Sequence, residues 1–262
     1  MYLIDTHAHL YLREFDDDRE TALERAEEAG VHRIYLPNID MESISLMMDM
    51  ASAFPDRCFP MMGLHPCSVK EDYGYILGKM ETELTKRNFH GIGETGLDHY
   101  WDKTFSEQQR EALLIQIGWA KQYRLPIVLH CREAFHDLIS MIEENHDENL
   151  SGVFHCFTGT PEDARRVMNL GRFYMGIGGV ITYRKSGLAE TVGLIGPDRL
   201  VLETDAPYLA PAPHRGKRNE SAYLPLVLAR LSEALGMPET ELAEVTSANA
   251  TRLFQLPEQH KY

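Results

Sequence analysis

The chain has 262 residues, of which 44% are hydrophobic and 25% are charged, an ordinary composition for a globular protein with a sizeable core. Asp and Glu number 40 against 26 Lys and Arg, which gives a formal net charge of −14. This acidity argues against a protein that coats nucleic acid or membranes with its whole surface, although it leaves room for a local basic site.

The cysteines and the hydropathy pattern indicate the cellular compartment. The four cysteines form no Cys-x-x-Cys pair, which predicts neither a zinc knuckle nor a disulfide framework and fits a reducing environment. No run approaches the ~18 apolar residues of a membrane span, and no basic region followed by a long apolar segment opens the chain. We therefore expect a cytoplasmic protein without membrane contact, and nothing indicates an obligate protein partner.

Short apolar runs alternate along the chain with longer amphipathic stretches. Eight runs are predicted strands: Tyr2–Asp5, Arg33–Pro37, Cys58–Leu64, Gly91–Glu94, Ile127–His130, Gly152–His155, Phe173–Ile177 and Leu200–Glu203. Seven helices are predicted between them: Arg19–Ala29, Met41–Ala53, Gly74–Arg87, Ser106–Arg124, Ala134–Glu144, Pro161–Leu170 and Ser186–Ile195. A proline-rich loop and two helices near Leu224–Ala234 and Pro238–Phe254 follow.

Two helix starts carry clear sequence signals. Ser106 is a predicted N-cap of the fourth helix, and Thr160 is a predicted N-cap followed by Pro161 at the first helical position. The predicted strands begin about 28 residues apart on average, the length of a strand-plus-helix unit. Eight such units predict an α/β fold, a (β/α)8 TIM barrel with extra C-terminal helices, in a single domain spanning residues 1–262. A doubly wound open sheet is the alternative.

The first predicted strand runs into the sequence His7-Ala8-His9. Residues two apart on an extended segment point the same way, so two imidazoles lie side by side. Twelve histidines in the chain make such a pair an easy coincidence, and further ligands are needed. Potential ligands end five other predicted strands, and they are His65, Glu94, His130, His155 and Asp205.

In a barrel these strand ends surround one mouth, even where they are far apart in the sequence. Ionisable groups that converge on one point need a cation among them to offset their desolvation. Imidazoles and carboxylates are ligands of divalent metals, so the pattern predicts a divalent-metal site.

The motifs at these strand ends resemble those of the TatD-type metal-dependent deoxyribonucleases, within the wider amidohydrolase-like barrels. The resemblance covers essentially the whole chain, with the motifs in family order. They are Asp5-Thr-His7-Ala-His9, Gly63-Leu-His65-Pro66, Gly93-Glu94-Thr-Gly96-Leu-Asp98, His130 with Arg132, His155-Cys-Phe-Thr-Gly159, Glu203-Thr-Asp205-Ala-Pro207-Tyr-Leu-Ala-Pro211 and His214-Arg215-Gly216-Lys217. Two small departures are Cys131, where Ser or Thr is frequent, and Ser221, where proline is common.

The resemblance implies a binuclear site. In it, His7, His9, Glu94 and Asp205 hold one divalent ion, while Glu94, His130 and His155 hold the other. The pattern does not distinguish zinc, magnesium, manganese and nickel.

The chemistry of the carboxylates supports this arrangement. Glu94 has two oxygens and can bridge ions roughly 3.5–4 Å apart, the spacing found in two-metal hydrolases. Asp205 is the predicted general acid/base, which orients a metal-activated water and relays a proton to the leaving oxygen. Glu203 is expected to support the site from behind, and Asp98 to fix the loop after Glu94.

The one concentrated basic segment, Pro213–Arg218, follows Asp205 closely enough to overhang the mouth. The predicted substrate-binding residues are His65 and Arg132 at the strand ends, with Arg215 and Lys217 of the basic segment. Positive charge beside a hydrolytic centre favours a phosphodiester, and we expect exonuclease cleavage of DNA, at single-stranded ends. Two alternatives remain open: a metal-dependent hydrolase of a small amide, ester or lactone, and a non-enzymatic metal-binding scaffold.

Overall fold

The structure, a computed structural model, describes residues 1–255, within which eight strands alternate with α-helices. The strands are β1 Leu3–Asp5, β2 Val31–Pro37, β3 Cys58–Met61, β4 Ile92–Asp98, β5 Ile127–Arg132, β6 Gly152–Phe154, β7 Phe173–Ile177 and β8 Leu200–Leu202. The helices are α1 Arg19–Glu28, α2 Ser43–Ala53, α3 Tyr73–Leu84, α4 Ser106–Tyr123, α5 Phe135–Glu144, α6 Pro161–Asn169, α7 Leu188–Ile195, α8 Leu224–Leu235 and α9 Glu239–Leu253.

The strands form a closed parallel barrel. They pair in chain order, β1 to β3 in one ladder and β4 to β8 in a second. Single parallel bridges join the two ladders, one between Met62 and Ile92 and one between Ala8 and Ala206. The predicted (β/α)8 TIM barrel with extra C-terminal helices is confirmed. The open doubly wound alternative is wrong, because its strands would not pair in chain order around a ring.

The extra helix α9 packs against β1 and β8 and closes one end of the barrel. Phe254, just beyond this helix, stacks on the buried ring of Tyr35 with 3.6 Å between centroids. Tyr35 belongs to a cluster of inward-facing side chains such as Ile4 and Val201. This apolar plug fills the lower half of the barrel, so the polar strand ends at the other half face a rigid floor.

Two strands extend beyond the predicted limits at their C-terminal ends. Glu94 and His130 were the predicted ends of β4 and β5, but these strands continue to Asp98 and Arg132, which pair with each other. The predicted β4 ends too early because the glycine and polar residues after Glu94 are typical of a loop. The extension brings Asp98 beside His130 and carries Arg132 to the rim of the barrel.

One helix-capping prediction is confirmed and one is wrong. The Asp163 N–H donates to the Thr160 hydroxyl at 3.2 Å, and the Thr160 N–H donates to the Asp163 carboxylate at 2.9 Å, a complete capping box. Ser106, in contrast, is the first residue inside α4 and not its N-cap, which is Phe105. The Ser106 hydroxyl donates to the Lys103 carbonyl at 2.8 Å, because the preceding turn already places that acceptor within reach.

Within residues 1–255, no helix combines the length and the apolar character needed to cross a membrane. The single domain over residues 1–262 stays a prediction, and residues 256–262 lie outside the described part of the chain.

Candidate metal centre

The structure brings all six predicted metal ligands together at the mouth formed by the C-terminal ends of the strands. His7 and His9 follow β1, Glu94 and His130 lie within β4 and β5, and His155 follows β6. Asp205 follows β8, and its N–H donates to the His7 carbonyl at 2.8 Å. Residues separated by almost 200 positions in the chain therefore become neighbours.

The first group of donor atoms, here called the first lobe, consists of His7, His9, one oxygen of Glu94, and Asp205. The two histidine Nε2 atoms lie 3.2 Å apart, and Glu94 Oε2 lies 3.2 Å from His7 Nε2 and 3.5 Å from His9 Nε2. Asp205 Oδ1 lies 3.8 and 3.7 Å from the same two nitrogens. The donors of His7, His9 and Glu94 thus lie within 4.8 Å of one another, and Asp205 approaches the two histidines.

The second lobe lies on the other side of Glu94. Glu94 Oε1 lies 2.8 Å from His130 Nδ1 and 3.5 Å from His155 Nε2. His65 also enters this lobe, with its Nε2 atom 3.4 Å from Glu94 Oε1 and 3.3 Å from His130 Nδ1. Sequence reasoning placed His65 among the substrate-facing residues, and the structure brings it within ligand distance as well.

The donor separations fit a divalent metal ion. Ligands held 2.0–2.2 Å from a tetrahedral centre lie about 3.3–3.6 Å apart, and the first-lobe separations of 3.2 to 3.8 Å bracket that value. The donors are imidazole nitrogens and carboxylate oxygens, which suit first-row divalent ions. Divalent-metal binding follows from these clusters.

Outer partners orient three of the histidines toward the two lobes. The Tyr11 hydroxyl donates to the Pro37 carbonyl at 2.5 Å and so accepts a bond from His9 Nδ1 at 2.9 Å. A His9 that donates through Nδ1 has its Nε2 lone pair free to face the first lobe. Tyr11 was missed by sequence reasoning, although its spacing of two residues from His9 is the same signal that paired the histidines.

Asp98 orients the second lobe in the same way, and the carboxylate of Glu203 lies within ion-pair distance of His155. Asp98 Oδ2 lies 2.9 Å from His130 Nε2, which leaves Nδ1 to face Glu94. Glu203 Oε1 lies 3.1 Å from His155 Nδ1 and accepts the Cys156 N–H at 2.5 Å. Glu203 thus lies behind the site, as expected from the sequence.

The buried carboxylate of Asp5, at the end of β1, connects β1 to the residues after β8, beneath the first lobe. It accepts the Thr204 N–H at 2.9 Å, the Thr204 hydroxyl at 2.6 Å and the Ser221 hydroxyl at 2.7 Å. It also accepts the His7 N–H at 3.3 Å. Ser221, the departure from the family pattern, therefore contributes a hydroxyl that a proline lacks.

The electrostatics favour an ionised centre. Burial by itself raises the pKa of Glu94, but the imidazoles of His65 and His7 outweigh burial and hold that pKa well below its usual value. Burial lowers the pKa of His155, but the charges of Glu203 and Glu94 outweigh it and raise that pKa to about 10. Burial also raises the pKa of Asp205 to about 6 in the absence of a bound cation.

A cavity of about 970 Å³ opens directly above both lobes. The predicted substrate-binding residues all line it, and they are His65, Arg132, Arg215 and Lys217. Arg218 does not line the cavity, although the sequence placed it above the mouth with the other basic residues. Its guanidinium pairs with Asp18 at 2.6 and 2.8 Å and lies 4.4 Å from the centre of the Phe15 ring, so its charge is used in holding the loop.

A closed (β/α)8 barrel with histidines and a shared carboxylate at its C-terminal mouth defines a class of protein, the metal-dependent hydrolase barrels. The family model described as TatD related DNase matches residues 4–255. The chain therefore belongs to the TatD family of metal-dependent hydrolases.

Individual relatives agree with this assignment. The chain is 37% identical over 255 residues to an uncharacterized metal-dependent hydrolase, YabD, of Bacillus subtilis, covering 97% of this chain and 99% of YabD. It is 33% identical over 260 residues to the 3'-5' ssDNA/RNA exonuclease TatD of Pectobacterium parmentieri, covering 97% and 100%. The crystal structure of YjjV, a TatD homolog from Escherichia coli, superposes with a TM-score of 0.91 at 31% identity, covering 97% and 98%.

Proposed function

We propose that this protein is a nuclease that uses two divalent metal ions to remove nucleotides from single-stranded DNA ends. The observation that carries the proposal is the position of Glu94, whose two carboxylate oxygens face two separate groups of histidines. Oε2 lies 3.2 Å from His7 Nε2, and Oε1 lies 2.8 Å from His130 Nδ1. One carboxylate shared in this way suits a two-metal hydrolytic site.

Divalent ions held by the histidines, Glu94 and Asp205 would supply Lewis acidity for hydrolysis of a phosphodiester. The protein supplies orientation and proton transfer. Asp205 lies in the first lobe and lines the cavity, so its carboxylate can hold the attacking water and pass a proton to the leaving oxygen.

The residues around the cavity favour an anionic substrate. Arg132, Arg215 and Lys217 line a space that opens above acidic donors, so a polyanion is held at its rim while its phosphoryl group reaches the metal ions. The cavity lies at the upper end of the range for sites that hold small-molecule-sized ligands, about 300–1,000 Å³. A strand end fits such a space better than a duplex does along its length.

The relatives support a nucleic-acid substrate. One relative is named a 3'-5' ssDNA/RNA exonuclease, and this chain aligns with its whole length. Because that relative's name includes RNA, we propose to test RNA beside DNA as a substrate of this chain.

The test is hydrolysis of a labelled single-stranded oligonucleotide by the purified protein with each of several divalent metals, alongside elemental analysis. We expect a ladder that shortens from one end and disappears when a chelator is added. Internal cuts would change the proposal to an endonuclease. Turnover of a lactone, amide or small ester, with no phosphodiester cleavage under any metal, would replace it with a small-molecule hydrolase.

A further inference from the structure

Aromatic side chains are left uncovered around the mouth of the cavity. Trp101 is 68% exposed and lines the cavity, and Tyr100, which packs edge-on against it at 4.9 Å, is 48% exposed. Tyr208, also 48% exposed, lines the opposite side. Large apolar surfaces gathered around one opening mark a binding surface.

The guanidinium group of Arg132 is stacked within this aromatic surface. Its central carbon lies 3.8 Å from the centre of the Tyr100 ring and 5.1 Å from the Trp101 ring. We call Tyr100, Trp101 and Arg132 the stacking corner. Aromatic rings and guanidinium planes are the two kinds of side-chain surface on which nucleobases stack, and Arg132 also brings a positive charge to the backbone that carries the base.

One buried side chain holds the backbone of the stacking corner in place. The buried carboxylate of Asp98 accepts the Tyr100 N–H at 2.9 Å and the Trp101 N–H at 3.1 Å through one oxygen. Its other oxygen lies 2.9 Å from His130 Nε2, in the second lobe. One side chain therefore sets the position of the corner's backbone relative to the candidate metal centre.

We infer that the stacking corner is a subsite for the terminal nucleobase and that it selects unpaired ends. This inference rests on the proposed function and deepens it. A base stacked on the exposed indole of Trp101 lies in the same cavity as the donors of both lobes. A base in a duplex must first leave its partner and its neighbour, and that cost lowers the rate at paired ends.

The experiment compares two single-stranded oligonucleotides that are identical except that one has an abasic 3′-terminal nucleotide. Base stacking on an aromatic side chain changes affinity by about 5- to 150-fold. We expect the wild type to show a KM lower by that factor for the normal end. Trp101→Ala should remove the preference by raising the KM for the normal end alone, and Trp101→Phe should restore part of it.

Tyr75 provides the matched control. It is also 68% exposed and carries a cation over its ring, Lys79 at 5.2 Å, but it lies on α3 and does not line the cavity. Tyr75→Ala should keep the wild-type preference. Equal KM values for the two ends in the wild type, or an equal rise for both ends in Trp101→Ala, would overturn the subsite.

Two further measurements separate this inference from the proposed function. Hydrolysis of methyl p-nitrophenyl phosphate, a diester without a base, by the wild type tests the function alone. Quenching of tryptophan fluorescence by a phosphorothioate-linked single-stranded trinucleotide, which resists hydrolysis, tests the subsite without turnover. The quenching reports on Trp101, because Trp101 is exposed while the other tryptophan, Trp119, is buried. Quenching that Trp101→Phe abolishes supports the subsite, and its absence in the wild type refutes the subsite whatever the protein hydrolyses.

Discussion

Replacement of Glu94 by glutamine is the sharpest test of a shared carboxylate. The glutamine side chain has the same shape but offers one oxygen and one amide nitrogen, and it carries no charge. Glu94 is 3% exposed and has an oxygen toward each lobe, so the amide must turn a non-ligating NH2 group toward one of them. That lobe loses a donor outright, and both lobes lose the negative charge.

The expected size of the effect follows from the chemistry. Metal content should fall from two ions per chain to one or fewer. A bound ion contributes several kcal/mol of transition-state stabilisation, so kcat/KM should fall by at least about 10³-fold. The fold should survive, because the apolar plug around Tyr35 and Val201 and the surrounding helices do not depend on this charge.

The assay is elemental analysis after dialysis, together with single-stranded DNA hydrolysis and far-UV circular dichroism. Glu233→Gln is the matched control, since Glu233 is an exposed residue of α8 and should bind metal and turn over substrate like the wild type. A Glu94→Gln protein with wild-type metal content and affinity would refute the shared carboxylate. An unfolded one would show that the charge is structural.

Three other predictions test the proton relay, the rim and the loop anchor. Asp205→Asn should lower kcat by about 10²–10⁴-fold with little change in KM in steady-state assays, because an amide cannot relay a proton. Arg215→Glu or Lys217→Glu should raise the KM for oligonucleotides and reduce its dependence on salt concentration in a titration, since each removes one phosphate contact. Arg218 holds the pKa of Asp18 well below its usual range. The stability that this pair adds is therefore fully present above the unfolded-state pKa of about 3.9, and it is lost as pH falls below that value. Asp18→Asn should therefore lower the free energy of unfolding by about 1 kcal/mol at pH 7, and the deficit should shrink below pH 4 in urea titrations.

Each of these has an outcome that contradicts it. A wild-type rate in Asp205→Asn would remove that residue from the reaction. An unchanged salt dependence after charge reversal at Arg215 would place the substrate elsewhere. A deficit in Asp18→Asn that stays constant with pH would show that the asparagine disturbs packing and not an ion pair.

Local patterns in the sequence determined the architecture and the type of site. The alternation of apolar runs with amphipathic stretches predicts the barrel because strand and helix periodicities are local properties. The Thr160 cap formed as predicted, since its partner Asp163 is three residues away. The pair His7 and His9 likewise point the same way because of backbone geometry alone.

Local reasoning failed where a distant partner decided the outcome. Arg215, Lys217 and Arg218 are near neighbours in one basic segment, yet two line the cavity and the third points away. The difference lies in Asp18, 200 positions earlier, which captures Arg218 and thereby sets the course of the loop. The residues after Glu94 extend β4 for a similar reason, because β5 offers them hydrogen-bonding partners.

Only the tertiary structure decided how the donors are shared. The family resemblance implied that Glu94 serves both ions, but only the structure shows that Oε2 faces His7 and that Oε1 faces His130. The sequence also could not show that Asp98 and Tyr11 determine which ring nitrogen each histidine presents. These features depend on angstrom-scale packing between strands that are distant in the chain, and barrel closure alone brings those strands together.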